Sequence, residues 1–253
     1  MRTSQSAPLV YETMTKHICV FQHVSWEGPG QHLLTAALKW NAALDIIKVW
    51  KEPIPSLSSY DALIILGGGP NVDQEEEYPF LIGEKKAIRS WLTTDRPCLG
   101  ICLGHQLIAE SLGARIAANF CHSIGFIDGH LTGDGRRHPI FRGVDPHLTL
   151  FKWHGNAVIP PVPRHFRILA TSAECQVEAF SIADRPHIVG MQFDNHAGSP
   201  EDVVTWLAED SHWLTSIPGK QINRKQIIAD AKKDQQHIKR NFHSLFLNFL
   251  SML

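Results

Sequence analysis

The chain has 253 residues, a formal net charge of -1, 43% hydrophobic residues and 19% charged residues. Such a composition is typical of a globular protein, and the length allows one α/β domain with or without a C-terminal extension. The near-neutral charge offers no basic face for nucleic acid, no apolar run is long enough to span a bilayer, and no His or Cys spacing matches a metal site. We therefore expect no nucleic acid, membrane or metal partner. Five irregularly spaced cysteines favour a reducing, cytoplasmic compartment over a disulfide scaffold.

Apolar runs alternate with helical patterns in the first half of the chain. The segments expected to be strands are 17–23, 44–49, 62–66 and 98–101, and those expected to be helices are 33–40 and 80–93. The third of these strands is apolar throughout, as is usual in a parallel sheet covered on both faces. The alternation predicts an α/β fold with a doubly wound, mostly parallel sheet flanked by helices, and a functional site at the carboxyl ends of the strands.

The second half of the chain has a different pattern. Residues 114–181 predict shorter strands separated by turns such as Thr132–Gly135, which indicates a small antiparallel excursion from the main sheet. Residues 200–209 predict a helix. These patterns divide the chain into a loose polar tail over residues 1–15 and a domain over residues 16–215.

A C-terminal helical extension is expected over residues 216–253. From Asn223 onward a long polar helix becomes strongly apolar, and its apolar side chains recur at steps of three and four residues. They are Ile238, Phe242, Leu245, Phe246, Phe249, Leu250 and Leu253. Packing of this face on its own domain is favoured, with a dimer interface or a docking helix for a partner as the alternative.

Cys102 is the strongest candidate for a chemically active residue. An apolar strand ends at Ile101, and a helical pattern begins soon after Cys102. Gly100 and Gly104 suit a sharp strand-to-helix turn, because such a turn needs positive φ and a close approach of the backbone. The helix N-terminus would favour the thiolate of Cys102. The pattern indicates a nucleophile, whereas a buried structural cysteine would leave the paired glycines unexplained.

Four blocks in chain order resemble the class I glutamine amidotransferases, and they are most similar to the stand-alone branch related to the glutaminase domain of GMP synthase. They are the nucleophile elbow Gly100–Gln106, the oxyanion loop Ile64–Pro70, the block Trp153–Asn156 (similar to Trp-His-Gly-Asp) and the strand Gly190–Phe193. The resemblance covers residues 16–210. It implies the flavodoxin-like fold of that family.

Hydrolysis of a side-chain amide requires a nucleophile, a base and donors to the oxyanion. Cys102 supplies the nucleophile, and the backbone N–H of Leu103 would donate to the oxyanion because Leu103 follows the nucleophile at the helix start. The resemblance implies that Gly69 supplies the second donor and that Gln106 and Gly68 hold the substrate. A helix-surface position is the alternative for Gln106.

Two histidines are expected near the site without acting as the base. The resemblance places His154 beside the site, in an aromatic setting. His105, three residues past Cys102 on the same helix, faces roughly the same side, with helix packing or capping as its other expected role. Asn156 stands where the family carries an acid, which removes a charge.

The catalytic pair departs from the family pattern. The family has His-Pro-Glu after Gln-Phe, with the His as base and the Glu orienting it, whereas this chain has Asp194 at the first position and His196 at the third. In a strand, residues two apart share a face at a separation of roughly 6.6 Å, so His196 cannot simply take the usual place of the base. An ordinary Asp, with a pKa near ~3.9, is a poor base at neutral pH. A swapped Cys102–His196–Asp194 arrangement, a weakened site with slow turnover, and a site kept only for binding all remain open.

The expected function is therefore that of a glutamine amidotransferase-like cysteine hydrolase. It would form a γ-glutamyl thioester on Cys102 and release ammonia from glutamine, without a metal or an organic cofactor. A γ-glutamyl peptide hydrolase and a non-catalytic binding or regulatory homologue are the alternatives. Any synthetase half would be another polypeptide, and a homodimer is the other expected partnership.

Overall fold

A computed structural model describes residues 15–219 and 221–253 of the chain. Nine strands lie in these ranges: β1 Lys16–Gln22, β2 Ala42–Lys48, β3 Ala62–Ile65, β4 Cys98–Ile101, β5 Arg115–Leu131, β6 His147–Ile159, β7 Phe166–Ser172, β8 Ala179–Ile182 and β9 Arg185–Met191. Seven α-helices lie there too: α1 Gly30–Lys39, α2 Phe80–Leu92, α3 Leu103–Ser111, α4 Gly133–Arg137, α5 Pro200–Glu209, α6 Ser211–Ser216 and α7 Arg224–Leu250. The tail expected over residues 1–15 lies outside the described residues except for Thr15.

All nine strands form one sheet in the order β2-β1-β3-β4-β9-β8-β7-β5-β6. The first five strands in this order pair in parallel, and β9, β8, β7, β5 and β6 pair antiparallel. The predicted fold class, a mostly parallel doubly wound sheet with an antiparallel excursion, is confirmed.

The antiparallel part differs in detail from the prediction. Strands β5 and β6 are 17 and 13 residues long, longer than the short strands expected there. The predicted turn at Thr132–Gly135 is the start of the short helix α4, because the Thr132 hydroxyl accepts the N–H of Gly135 at 3.0 Å and caps the helix.

The parallel strands are buried on both faces. Along β1, Ile18 and Val20 belong to the core beneath α1 and α7, whereas Cys19 and Phe21 belong to the core beneath α2 and α3. Alternate side chains of a strand point to opposite faces, so an unbroken apolar run supplies both cores. The loops after the carboxyl ends of β1, β3 and β4 line one cavity.

Helix α7 packs on the first of these cores. Its side chains Phe242, Phe246 and Phe249 are buried there, and the helix contacts α1 and α5. The boundary between a domain over residues 16–215 and an extension over residues 216–253 stays a prediction. In the described part of the chain, none of the helices has the length and apolar character needed to cross a membrane.

Candidate active site

Cys102 lies in the sharp turn between β4 and α3. Its φ of 49° and ψ of -104° are unusual for a residue with a Cβ, and such conformations cost about 1–3 kcal/mol and cluster at functional sites. The N–H of Cys102 donates to the carbonyl of Met191 at 2.8 Å. A Cβ at Gly104 would overlap the carbonyl oxygen of Ile65, and one at Gly100 would overlap that of Gly104. The turn therefore depends on backbone packing that larger residues would prevent.

The thiol opens on to a cavity of about 490 Å³ at the carboxyl ends of the parallel strands. Gly68, Gly69, Leu103 and Gln106 line it together with Cys102, so the predicted oxyanion and substrate residues meet at one place. A larger groove, about 770 Å³, lies between residues 49–58 and α2, but cysteine and histidine are absent from its lining. We assign the candidate site to the smaller cavity because Cys102 lines it. Within the described ranges, no three His, Cys, Asp or Glu side chains are grouped so as to hold a metal ion.

Gln106 is buried, lines the same cavity as Cys102 and is not a helix-surface residue. Its amide donates to the carbonyl of Asn156 at 2.9 Å and to Oε1 of Gln192 at 3.1 Å. Nε2 of Gln192 in turn donates to Sγ of Cys102 at 3.6 Å. The side chain of Asn156, which stands where the family carries an acid, donates to Oδ1 of Asn71 at 2.8 Å. Hydrogen bonds through the side chains of Gln192 and Gln106 therefore connect Cys102 to β6, and the side chain of Asn156 connects β6 to the loop that holds Asn71.

The two histidines expected near the site have different surroundings. His154 lines the cavity; its Nδ1–H donates to the carbonyl of Asn156 at 2.9 Å, and its buried Nε2 has no hydrogen-bond partner. Burial and the charge of Lys152 hold the pKa of His154 well below its usual value, so the ring is neutral. His105 is buried outside the cavity lining with its ring centroid 4.8 Å from that of Phe180, and burial lowers its pKa to about 3.

Asp194 lies three residues after the end of β9, close enough for its charge to act on Cys102. Its N–H donates to the carbonyl of Phe151 at 2.7 Å, and both carboxyl oxygens are buried without a hydrogen-bond partner. Burial raises the pKa of Asp194 well above its usual range; Lys152 partly opposes the rise, and Glu178 adds to it. The carboxylate of Asp194 is therefore a stronger base than that of an exposed aspartate.

The backbone turns sharply after Asp194. Residues Asn195–Ala197 form one 3-10 turn, so Asp194 and His196 do not share a face as they would in a strand. The side chain of Asn195 holds this turn, because its Oδ1 accepts the N–H of Phe151 at 2.7 Å and its Nδ2 donates to the carbonyl of Thr149 at 2.9 Å. The direction of His196 follows from these contacts with β6.

The turn carries His196 away from the thiol. Its fully buried ring lies 6.3 Å from that of Trp206 and 6.4 Å from that of Phe242, measured between centroids, and it does not line the cavity. The backbone of Gly28 is near the ring, but neither ring nitrogen has a hydrogen-bond partner of ordinary geometry. Burial lowers the pKa of His196 to about 3. The swapped Cys102–His196–Asp194 arrangement considered from the sequence is therefore not formed in this structure.

Sequence reasoning missed two charged residues that act on Cys102, Glu27 and Lys152, and the partner of Lys152, Glu178. Glu27 lines the cavity, and a Cβ at Gly67 would overlap its Oε1 and lie 3.3 Å from Cβ of Cys102, so the two side chains are neighbours. Lys152 and Glu178 form a fully buried ion pair. A lysine inside the apolar strand Leu148–Trp153 was one available signal, and an acid in the loop after β1 was another.

These charges set the ionisation of the thiol. Burial raises the pKa of Cys102 well above its usual value, and the negative charges of Asp194 and Glu27 raise it further. Lys152 and the N–H of Leu103 act in the opposite direction. Before substrate binds, the sulfur is therefore a thiol, and attack on a carbonyl requires a neighbouring proton acceptor.

Comparisons with known proteins identify the family of this chain. The class-I glutamine amidotransferase family matches residues 31–196. The chain is 33% identical over 169 residues to one subunit of the glutamine-hydrolyzing GMP synthase of Sulfurisphaera tokodaii, covering 66% of this chain and 83% of that one. It is 33% identical over 157 residues to the protein of the same name from Methanothermobacter thermautotrophicus, covering 59% and 77%.

Solved structures show the same fold. A glutamine amidotransferase from Thermotoga maritima superposes with a TM-score of 0.82 at 25% identity, covering 92% of this chain and 97% of that one. One from Methylobacillus flagellatus has a TM-score of 0.82 at 19% identity, covering 94% and 96%, and bears on the fold alone. The family match, the related sequences and the elbow geometry confirm the resemblance seen in the four blocks: the chain belongs to the class-I glutamine amidotransferase family.

Proposed function

We propose that this chain hydrolyses the side-chain amide of glutamine through a γ-glutamyl thioester on Cys102. The observation that carries the proposal is the position of the thiol, which is held at the elbow and opens on to the cavity that Gly69 and Leu103 line. The backbone N–H groups of Gly69 and Leu103 are the proposed donors to the oxyanion. Gln106 and Gly68 line the same cavity and are the proposed substrate-binding residues.

Asp194 is the proposed proton acceptor. The thiol of Cys102 gives its proton to the Asp194 carboxylate while the sulfur attacks the amide carbon, and the protonated carboxyl returns that proton to the departing ammonia. Water then attacks the thioester with Asp194 again accepting a proton, which releases glutamate and restores the thiol. Each proton taken from sulfur or water is returned to ammonia or sulfur, so the cycle leaves the protein unchanged.

The burial of Asp194 supports this role. A carboxylate with an ordinary pKa near ~3.9 takes up a proton too weakly at neutral pH, and a general base works best with a pKa near the operating pH. Burial raises the pKa of Asp194 and makes its carboxylate a stronger base. His154 is a weaker candidate because burial lowers its pKa, and His196 because burial also lowers its pKa and its ring lies near those of Trp206 and Phe242.

A separate synthetase polypeptide is the proposed consumer of the ammonia. Both related sequences are named as one subunit of a glutamine-hydrolyzing GMP synthase, which supports a division of labour between two chains. A ligand-binding role without turnover is the second candidate. The protonated, buried thiol of Cys102 and the aspartate that replaces histidine at position 194 favour it.

The test is ammonia release from glutamine by the unmutated protein and by four variants. We expect Cys102→Ala and Asp194→Asn each to lose activity by about 100-fold or more, and His196→Leu and His154→Gln to remain active. If His154→Gln loses ammonia release while Asp194→Asn keeps it, His154 and not Asp194 is the base. No turnover of glutamine or of a γ-glutamyl peptide, combined with a Tm raised by glutamine, would support the binding role instead.

A further inference from the structure

A buried histidine is held between the oxyanion loop and helix α2. His23 follows the last residue of β1, and its Nδ1 lies 2.7 Å from the carbonyl oxygen of Gly67. Its Nε2 lies 2.8 Å from Oε1 of Glu84, and both side chains are fully buried. A carbonyl oxygen can only accept, so Nδ1 of His23 carries a proton and donates it to Gly67 whichever partner holds the proton between Nε2 and Glu84.

This hydrogen bond orients a peptide of the oxyanion loop. In a trans peptide the C=O and the following N–H point in opposite directions, so holding the carbonyl of Gly67 toward His23 directs the N–H of Gly68 away from it. The loop is also confined by packing: a Cβ at Gly68 would lie 2.6 Å from Cβ of His23 and 3.3 Å from Cδ2 of Leu103. On its other side, the N–H of Gly104 donates to the carbonyl of Leu66 at 3.1 Å. The loop is thus held between His23 and the helix that begins after the nucleophile.

A contribution to the free energy of folding does not by itself explain the buried His23–Glu84 pair. Removing two charged groups from water costs free energy that their attraction often fails to recover. Oε2 of Glu84 has no hydrogen-bond partner, so the contact with His23 is the principal polar contact of that carboxyl among the described residues. Burial is the largest single effect and opposes a charge on His23. The charge of Glu84, the hydrogen bonds to Glu84 and Gly67, and the charge of Glu27 together outweigh it and hold the pKa of His23 above its usual value. The pair therefore keeps a donor available to Gly67.

We propose that His23, held by Glu84, is a positioning residue that presets the oxyanion loop Gly67–Gly69 against Cys102. The inference rests on the proposed amide hydrolysis. It adds two residues, one from the end of β1 and one from α2, that touch neither substrate nor nucleophile. They act by fixing the Gly67–Gly68 peptide, which precedes the proposed donor Gly69, before substrate arrives; electrostatic stabilisation of an oxyanion requires donors that are already in place.

The test compares His23→Asn with His23→Leu. The Asn amide can place a donor near the position of Nδ1, whereas Leu fills a similar volume without a donor. We expect His23→Leu to lower kcat for glutamine by about 100-fold with little change in KM, the size of loss that follows removal of an oxyanion donor. His23→Asn is expected to recover most of that loss. Glu84→Gln, which still offers Nε2 a hydrogen-bond partner, is expected to keep kcat closer to that of the unmutated protein than His23→Leu does.

Two further readouts separate a positioning role from general damage and from failure of the proposed function. Alkylation of Cys102 by iodoacetamide needs no oxyanion hole, so its rate should be similar in both His23 variants and the unmutated protein. The amide NMR signals of Gly68 and Gly69 should move in His23→Leu and stay close to their original positions in His23→Asn, whether or not glutamine is turned over. Unmoved signals in His23→Leu, or equal kcat in the two variants, would overturn the inference.

Discussion

Replacing His196 with leucine is expected to remove part of the acid sensitivity of this protein. The folded state holds the pKa of His196 at about 3, whereas an unfolded chain has a histidine pKa near ~6.5. Below pH ~6.5 the unfolded state therefore binds a proton that the folded state excludes, and the free energy of unfolding falls by about 1.4 kcal/mol per pH unit. From pH ~6.5 to ~5 this amounts to about 2 kcal/mol, which the leucine variant should not lose.

The assay is urea denaturation of the unmutated protein and of His196→Leu at pH 7.5 and pH 5.0, values chosen on either side of the ordinary histidine pKa of ~6.5. His105 has a similarly low pKa and is present in both proteins, so its contribution cancels in the comparison. His212, which lies exposed on α6, provides the matched control, because His212→Leu should leave the pH dependence unchanged. Equal losses of stability in the unmutated protein and in His196→Leu would refute the reasoning. A loss of ammonia release in His196→Leu as complete as that in Cys102→Ala would contradict the placement of His196 away from the thiol.

Three other outcomes follow from the geometry. Gly104→Ala should lower the free energy of unfolding by about 1–3 kcal/mol because its Cβ would overlap the carbonyl of Ile65. Gly83→Ala, in a helix with open space around it, should raise the free energy of unfolding by about 0.5–1 kcal/mol. Urea denaturation measures both changes, and equal effects of the two substitutions would contradict the packing argument. Asp194→Asn should move the pH midpoint of Cys102 alkylation downward, since a neighbouring negative charge is removed. An unchanged or higher midpoint would contradict the placement of Asp194 near Cys102. The kcat/KM for glutamine should rise with pH through a midpoint well above the ordinary aspartate pKa of ~3.9, because Asp194 must lose a proton before it can accept one. A midpoint at the ordinary aspartate value would argue against Asp194 as base.

Much of the fold could be predicted because apolar patterning is a local property. The strand at Cys98–Ile101 and the helix at Pro200–Glu209 have the predicted bounds. The bounds of the strands predicted at 17–23, 44–49 and 62–66 differ from the observed bounds by at most two residues. The antiparallel part was predicted less well. Thr132 caps a helix at a place where Gly-Asp-Gly suggested only a turn, because a side-chain cap and a turn share the same residue types.

The candidate site shows the same division between local and distant causes. The elbow at Cys102 was visible in the sequence because the spacing of Gly100 and Gly104 around it reflects a requirement of the backbone within a few residues. Glu27 was not recognisable as a neighbour of the thiol, since it lies in the loop after β1, and Asp194, which follows β9, was expected there only from the family resemblance. Only the strand order places the ends of β1, β4 and β9 at one edge of the sheet.

The sequence by itself therefore determined the sheet class and the elbow and singled out Cys102 as the proposed nucleophile, because each of these depends on residues close together in the chain. The tertiary structure decided what surrounds the thiol and where His196 points. Asn195 bonds to the backbone of β6 more than 40 residues away, and this contact turns the imidazole of His196 into an apolar pocket while Asp194 stays beside the nucleophile. Such hydrogen bonds depend on which strands meet in space, and no short stretch of sequence specifies that.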